Sequence, residues 1–489
     1  MRLLYIPFDH LHRDYGILMS ADLKNDVIVF VQSERMCDPA RWNPIRLYFL
    51  ISSARHFAEA LRAEGFTVHY LTAATTVEGL RSAKQATGIT DIYSAQPSSF
   101  KSEKMLREAG VMFIPNDFFL TPRELFQNWA STQKSFLMEN FYRKQRERLN
   151  VLMDGKQPTG GQWNFDKSNR LPPPKNYQWP GYFTHDPDEI DREVAQNLGI
   201  NPAPEWATDR KGALAQMNYF FQVHFAGFGP YEDAMTSENW ALHHSLLSPY
   251  INNGLLHPAE VVEAARVRFE QGGIPIESCE AFVRQIIGWR EYINGMYWFL
   301  GADYRENNQL SAQRPLLPLF EDSTRTAMNC MRTTVEGIRD RAWVHHIPRL
   351  MLLSNLALVT GTNPQEFLDW MRREFIDASE WVMVPNVIGM GAHADGGVMM
   401  TKPYAAGGAY ISRMSNYCKP CKYDPKLRIG ESACPFTTLY WDFLDRNRER
   451  FNNNHRMAQQ YGGLDRLNDL AKVKVRAQEV LEGLTAGTI

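Results

Sequence analysis

The 489-residue sequence is poor in cysteine and has no long apolar segment. Six cysteines are too few for the disulfide framework of small secreted domains. The first residues, MRLLYIPFDHLHRD, contain too short an apolar run for a signal peptide. No window reaches the ~18 apolar residues of a membrane span, and the best candidate, LMLLSNLALVTG, is interrupted by Asn355. We therefore expect a cytoplasmic protein without a membrane segment.

The chain also lacks an excess of charge of one sign. Its formal net charge is −2, which excludes a protein that is basic throughout. One segment differs, because residues 413–428 contain five basic side chains and a single acidic one, Asp424. This cluster suits nucleic-acid phosphate, but an ordinary solvated face explains it equally well. Its basic members are Arg413, Lys419, Lys422, Lys426 and Arg428.

The glycine fingerprint of dinucleotide-binding folds, G-x-G-x-x-G after the first strand, is missing as well. A partial match, GMGAHADGG (389–397), follows no strand and has the wrong spacing. We predict a loop there.

What the sequence does contain is an alternation of strand and helix patterns over residues 1–125. Alternation of this kind predicts an α/β domain with a doubly wound parallel sheet. Residues 126–205 are predicted to form an interdomain linker and a long loop, because the chain from about residue 150 to 205 is rich in Pro, Gly, Asn and Asp. Residues 206–489 show helical periodicity and predict a larger all-α domain. The predicted strands are LLYIP (3–7), DVIVFVQ (26–32), FTVHYL (66–71), DIYSA (91–95) and VMFIP (111–115).

Three of the six cysteines lie close together, as Cys418-x2-Cys421-x12-Cys434. A tetrahedral site needs a fourth ligand, for which the candidates are Cys37, Cys279 and Cys330. Thiolates hold zinc or iron–sulfur clusters, and Cys-Pro at the last ligand is frequent in cluster proteins. The spacing favours an iron–sulfur cluster, with zinc and unrelated buried thiols as alternatives.

Several stretches resemble the photolyase/cryptochrome family, and in particular its bacterial iron–sulfur branch, which includes the prokaryotic (6-4) photolyases. They are HHSLLSPYINNGLLHP (243–258), RAWVHHIPRLM (341–351), FIDASEWVMVPNVIGM (375–390) and the ADGG, KPYAAGGAYI and NYC segments of 394–418. The resemblance covers essentially the whole chain. It is strong over residues 200–440 and weakest in the first 60.

The resemblance implies a FAD held in the centre of the helical domain. Its pyrophosphate would meet hydroxyls and backbone N–H groups at a helix start, a setting that suits an anion. Arg349 and Asp377 would lie beside the flavin ring, with Arg349 stabilising negative charge on the reduced flavin. The implied contacts are Tyr231, Ser245, Leu246, Leu247, Ser248, Gln285, Trp289, Arg349, Asp377 and Met383, and Arg290 belongs to the same segment as Trp289.

The same resemblance implies a [4Fe–4S] cluster on Cys330, Cys418, Cys421 and Cys434. It also implies a histidine, His345 or His346, that donates a proton to the lesion as an electron arrives from the excited reduced flavin. Imidazole suits this step because its pKa lies near the working pH. Adjacent histidines on a helix point in different directions, and we favour His346.

Lesion repair requires the damaged dinucleotide to be flipped out of the duplex and its phosphates to be bound. The implied phosphate contacts are Arg413, Lys419 and Lys422, and the loop 160–170 would enter the DNA as a wedge. Trp370, Tyr404 and Tyr410 match positions in the electron path or the lesion pocket. A second pair, His243 and His244, is expected to be structural or solvent-facing.

The sequence departs from the family at several positions. Met383 stands where the branch places Glu and many photolyases place Asn, facing flavin N5. Met371 and Asp322 replace aromatic residues of the electron chain. The N-terminus lacks the motifs that accompany the ribityl-lumazine antenna, for which Asp9 and Glu34 are the implied contacts.

We therefore expect a light-driven, FAD-dependent enzyme that repairs (6-4) photoproducts. Its partner would be UV-damaged DNA, its cofactors FAD, the cluster, an antenna and Mg²⁺ assisting DNA binding, and its state monomeric. A cryptochrome-like photoreceptor without repair activity is the alternative. A zinc-stapled, light-independent nucleic-acid-binding protein is a third reading.

Overall fold

The computed structural model describes all residues 1–489. It opens with a five-stranded, fully parallel sheet in the order β3-β2-β1-β4-β5. This doubly wound order confirms the predicted fold class. The strands are β1 (Arg2–Tyr5), β2 (Asp26–Ser33), β3 (Thr67–Ala73), β4 (Ile92–Ala95) and β5 (Val111–Ile114).

Three helices cross between the strands, and each starts at a side-chain cap. The first, Pro44–Ala63, follows Asn43, whose side chain accepts from the N–H of Ile45. Its apolar face, including Leu47 and Leu61, is buried against the sheet. The other two are Thr76–Thr87, capped by Thr75, and Phe100–Glu108, capped by Ser99.

The rest of the chain consists of helices and irregular segments, with one two-stranded hairpin of β6 (Met153–Asp154) and β7 (Gln157–Pro158). No helix is both long and apolar enough to cross a bilayer. The α-helices are Arg123–Ala130, Met138–Leu149, Glu189–Asn197, Arg210–Tyr219, Phe225–Phe228, Ser248–Asn253, Pro258–Glu270, Ile276–Val283, Glu291–Leu300, Pro318–Glu321, Asn329–Arg341, His346–Pro348, Asn355–Thr360, Pro364–Glu374, Glu380–Val384, Gly408–Met414, Pro435–Arg446, Arg448–Phe451, Ala458–Leu464 and Leu470–Ala486.

Four segments inside longer helices are wound as π-helix. They are Phe220–His224, Arg284–Arg290, Arg349–Ser354 and Pro385–Gly391. Each inserts an extra residue into the turn and re-aims the side chains that follow, which is why π segments are frequent at functional sites. Three of the four contain or adjoin residues that the sequence assigned to the flavin site.

The last π segment corrects the interpretation of GMGAHADGG. The sequence predicts a loop over residues 389–397. Residues 389–391 instead form the end of the π segment Pro385–Gly391. A Cβ at Gly389 would lie 2.4 Å from the Tyr304 hydroxyl oxygen. These glycines therefore serve close helix packing.

The α/β domain is joined to the helical part through a shared core. One face of the sheet and the helix Pro44–Ala63 pack into the same apolar cluster as Phe220, Tyr250 and Trp343. The Asn43 amide donates to Glu374 (3.2 Å). The two parts therefore form one packed body.

Candidate functional site

An ion pair lies in the middle of the helical domain. Arg349 binds Asp377 through two parallel hydrogen bonds of 2.8 and 3.1 Å. A third bond, from Arg349 Nε to the carbonyl of Val344 (2.7 Å), fixes the guanidinium, which also stacks on Phe375 at 4.2 Å. Arg349 and Asp377 are 28 positions apart in the sequence and are in direct contact in the structure. The family resemblance had assigned both to one site. The paired, immobilised guanidinium is a fixed positive charge in an apolar setting.

The serine-rich turn reaches the same ion pair. Ser248 Oγ donates to Asp377 Oδ2 (2.7 Å), and the amide of Asn252 donates to the Asp377 carbonyl (3.0 Å). Leu246 adopts φ +59°, an unusual conformation for a residue with a side chain. The backbone N–H groups of Leu246 and Ser248 have no acceptor within the protein. Free N–H donors beside a fixed ion pair fit the pyrophosphate of a flavin dinucleotide.

Two histidine pairs meet beside this centre. The rings of His244 and His345 stack with centroids 4.1 Å apart. His345 is buried, and the pKa of its imidazole is held well below the usual value, first by burial and then by neighbouring histidines. His346 begins the helix that continues to Arg349, and it is exposed to solvent although the protein is dense around it. Burial and the charge of Arg349 lower the pKa of His346 to about 4.

His243 has a structural position, in keeping with the expectation. It is buried, and its Nε2 lies 3.0 Å from the Tyr177 hydroxyl. Its ring lies parallel to that of Tyr231 with centroids 6.0 Å apart. A Cβ at Gly227 would approach this imidazole to 2.6 Å, so only glycine leaves room for it.

Acidic groups follow Tyr231 directly. The Gln285 amide donates to Glu232 Oε1 at 2.5 Å. Burial raises the pKa of Glu232 to about 8 and that of Asp233 to about 6. These carboxyls carry part of their protons at neutral pH, so they can donate as well as accept hydrogen bonds.

Tyr404 and Tyr410 lie near Asp233 and Arg170. Burial raises the pKa of both tyrosines, and the charges of Asp233 and Arg170 act on each of them. Arg170, at the end of the loop 160–170, is therefore close enough for its charge to act on the two tyrosines.

The loop 160–170 is anchored to the helical domain. The Phe165 N–H donates to Glu280 (3.0 Å), and Asp166 pairs with Arg284 (3.2 Å). The Arg146 guanidinium holds the Trp163 carbonyl at 2.9 Å. These bonds hold the loop in one place.

Trp289 and Arg290 diverge. Trp289 is half-buried, 6.1 Å from the ring of Tyr292. Arg290 turns to the α/β domain, where it pairs with Glu291 (2.8 Å) and donates to the Phe118 carbonyl (3.0 Å). Arg290 therefore joins the two domains.

Trp370 is buried at 1% exposure and stacks on Phe367, with centroids 5.9 Å apart. Phe375, which carries the Arg349 guanidinium, lies 6.3 Å from the Trp370 ring. Met371 is buried and Asp322 is exposed at a helix cap. The ring of Phe375 thus lies between Trp370 and the Arg349 guanidinium. Positions 371 and 322 carry no aromatic side chain.

Met383 lies in the helix Glu380–Val384 and is 3% exposed. It belongs to the apolar cluster of the helical domain. A thioether there offers no hydrogen-bond donor.

Four cysteines line one small cavity: Cys330, Cys418, Cys421 and Cys434. Burial raises the pKa of Cys330 well above the usual value, and the charges of the other three raise it further. Such mutual repulsion means that four thiolates are stable only around a cationic centre. Other lining side chains are Met328, Ile411, Tyr417, Tyr423, Pro435 and Phe436.

The spacing of the sulfur atoms distinguishes two kinds of centre. No three of the four lie within 4.8 Å of one another. A tetrahedral zinc site, with Zn–S near 2.3 Å, would bring its sulfurs to about 3.8 Å. A larger cluster separates its thiolates further and fits this cavity better. The N–H groups of Phe436 and Thr437 oppose the effect of burial on the pKa of Cys434.

The basic cluster beside these cysteines is mostly free. Arg413, Lys419, Lys422 and Lys426 are exposed. Arg428 instead pairs with Asp469 (2.9 Å), so it adds no free charge. Arg413 and Lys422 lie over the rings of Tyr410 and Tyr423.

In the α/β domain, a cavity of about 570 Å³ opens at the carboxyl ends of β2 and β3. Glu34 and Cys37 line it, and Asp9 does not. The carboxyl ends of parallel strands are the usual place for ligands in such sheets.

Two features of the site escaped the sequence interpretation. His244 was expected only to be structural or solvent-facing, and its stacking on His345 was not predicted. Glu232 had not been singled out, although it holds Gln285. The two pairs of adjacent histidines, at 243–244 and 345–346, were a signal for the stacking of His244 on His345. No sequence pattern indicated the role of Glu232.

Comparisons with known proteins agree with this geometry. A family model described as "Deoxyribodipyrimidine photo-lyase-related protein" matches residues 4–205. A (6-4) photolyase from Agrobacterium fabrum is 39% identical over 98% of both chains. An uncharacterized protein, R852, from Acanthamoeba polyphaga mimivirus is 26% identical over 34% of this chain and 86% of its own.

A crystal structure of a bacterial class III photolyase from Agrobacterium tumefaciens has a TM-score of 0.57 and 17% identity, covering 99% of this chain and 98% of its own. That similarity shows the fold. The identity to the first relative, over nearly the full length of both chains, shows the family and confirms the resemblance seen in the sequence. The chain belongs to the photolyase family.

Proposed function

We propose that this protein is a light-driven, FAD-dependent photolyase that repairs (6-4) pyrimidine–pyrimidone photoproducts in DNA. The observation that carries this proposal is the histidine group. His345 stacks on His244, and the exposed His346 lies three residues before Arg349 of the Arg349–Asp377 pair.

The residues fit a bound FAD. Free N–H donors at Leu246 and Ser248 suit its pyrophosphate, and Arg349 with Asp377 suits its ring. When bound and reduced, FAD supplies the photoexcited electron donor. The remaining proposed contacts are Tyr231, Ser245, Leu247, Gln285, Trp289 and Met383.

His346 is the proposed proton donor and His345 supports it by packing. A pKa of about 4 leaves His346 neutral in the ligand-free protein at pH 7. Anionic groups arriving with the lesion would raise this pKa, because a nearby negative charge favours imidazolium. The proton would then be available only in the complex, which links proton transfer to lesion binding.

Lesion DNA would approach the side that carries Arg413, Lys419 and Lys422. Their exposure supports phosphate binding, which needs unpaired cations. Tyr404 and Tyr410 would contact the flipped dinucleotide, and the anchored loop 160–170 would stand beside it. Mg²⁺ is proposed to assist DNA binding.

The four cysteines are proposed to hold a [4Fe–4S] cluster with a structural role. The cavity joins the helix Asn329–Arg341 to the segment 418–434. Residues 88 positions apart would thus be cross-linked beside the basic side chains. The ribityl-lumazine antenna is proposed for the cavity lined by Glu34, whose carboxyl-end position supports it.

The test uses duplexes that carry a single (6-4) photoproduct or a single cyclobutane dimer. The reduced protein is illuminated with blue light, and the products are separated by chromatography. We expect restoration of the (6-4) site alone. His346→Ala should abolish it, whereas His455→Ala, at an exposed position in the C-terminal part, should not. Equal inertness of wild type and His346→Ala would indicate a photoreceptor of this fold.

A further inference from the structure

A second cavity lies far from the histidine group. It has a volume of about 520 Å³, within the ~300–1,000 Å³ range of small-ligand sites. The loop 308–315, the end of the helix Asn355–Thr360 and the helix Pro435–Arg446 form its walls. Gly361, on its wall, follows His346 by fifteen positions along one helical run, a rise of about 22 Å. The cavity is therefore separate from the proposed lesion site.

Three guanidinium groups face this cavity, from Arg314, Arg446 and Arg450. Arg446 donates to the Val359 carbonyl and Arg450 to the Ser311 hydroxyl, both neutral acceptors. The backbone N–H and carbonyl of Arg314 form hydrogen bonds within the protein, but its side chain forms no hydrogen bond or ion pair.

No acidic residue lines the cavity, and the carboxylate of Asp442, behind the lining, lies 3.6 Å from Arg446 Nε. Arg446 also feels Arg314, because the charge of Arg314 adds to burial in lowering the pKa of Arg446. Three cations against one carboxylate leave a surplus of about two positive charges, which matches a phosphate dianion better than a single carboxylate.

Part of the cavity lining is apolar. Leu310, Leu358 and Phe443 line it beside small alanine side chains. Its rim is held in shape by Asn308, whose amide both donates to and accepts from Ala312 (2.8 and 2.9 Å). A lining that combines arginine guanidinium groups with apolar side chains fits a phosphate attached to a planar ring.

We propose that this cavity is a second binding site, for a small phosphorylated ligand of mononucleotide size. The proposal does not depend on the repair reaction. Its concave shape favours one small ligand, whereas a duplex would need an extended basic surface.

The experiment measures AMP and inorganic phosphate binding to the FAD-loaded protein by calorimetry. FAD must be bound during the titration, because the part of the proposed FAD site that holds its adenylate group would otherwise bind AMP. We expect saturable AMP binding, weakened at least tenfold in Arg314→Gln, where the free guanidinium is lost without breaking an internal bond. Arg448→Gln, which removes an exposed pair with Asp465, is the matched control and should bind as wild type does.

Three results of the AMP and phosphate titrations would overturn the proposal. They are the absence of saturable AMP and phosphate binding at millimolar concentrations, equal affinity in Arg314→Gln, and binding that disappears on FAD loading. Displacement of AMP by undamaged duplex DNA would assign the cavity to the DNA backbone and would also contradict a small-ligand site.

Discussion

His346 and Arg349 lie one helical turn apart, and this spacing couples a titrating imidazole to a fixed charge. The pKa of His346 is lowered to about 4, first by burial and then by Arg349. The lysine and arginine side chains of the DNA side cannot supply a proton at neutral pH, so the histidine is the group whose protonation the lesion can switch.

Titration of His346 tests this coupling. In the ligand-free protein its imidazole NMR signal should titrate near pH 4, and the midpoint should rise on binding of lesion DNA. In the complex, repair should be fast below the raised pKa and should slow as the pH increases through it, since only imidazolium donates. An unchanged midpoint in the complex would contradict the proposed role.

Arg349 tests the ion pair itself. Arg349→Ala leaves the Asp377 carboxylate buried at 7% exposure without its cation. We expect loss of bound flavin and a free energy of unfolding lower by about 3–5 kcal/mol, measured in urea. The double variant Arg349→Ala/Asp377→Ala should recover part of the stability but not the flavin. A single variant as stable as wild type would exclude a tightly coupled pair.

Among the elements, the interrupted helices and the cysteine-bearing segments position the site. The π segment Arg349–Ser354 starts at the arginine of the ion pair, and Arg284–Arg290 carries Gln285 and Trp289. The segment 418–434 has little regular structure of its own. The proposed cluster on the four cysteines would therefore help to fix its position relative to the helix Asn329–Arg341.

Cys330→Ser tests that dependence. We expect a loss of most protein-bound iron, and faster amide hydrogen exchange over residues 415–434, because the cross-link to the helix Asn329–Arg341 is gone. Cys37→Ser, in the α/β domain, is the matched control and should keep its iron. Full iron content in Cys330→Ser would show that the fourth ligand is misassigned.

For the whole molecule, low pH should destabilise the fold. Burial lowers the pKa of His185, His243 and His257 to about 4. The unfolded chain therefore binds more protons than the folded one between about pH 6.5 and pH 4. Thermal unfolding should show a midpoint that falls as the pH is lowered through this window. A midpoint independent of pH there would contradict burial of neutral histidines.

The sequence predicted the sheet because each of its strands is a short apolar run that alternates with an amphipathic helix. It placed Arg349 and Asp377 together only through the family resemblance, since no local pattern links residues in different helices. The stacking of His244 on His345 and the bond from Gln285 to Glu232 depend on long-range packing. The π segments likewise follow from tertiary contacts, and local periodicity did not indicate them.

The most direct test of the central claim is light-dependent restoration of a single (6-4) photoproduct by the FAD-reduced protein. The (6-4) duplex is incubated under blue light or in the dark, and the bases at the lesion are identified by chromatography. The account predicts two intact pyrimidines in the illuminated sample and an unchanged lesion in the dark. An unchanged lesion under light, with protein bound to the duplex, would contradict it.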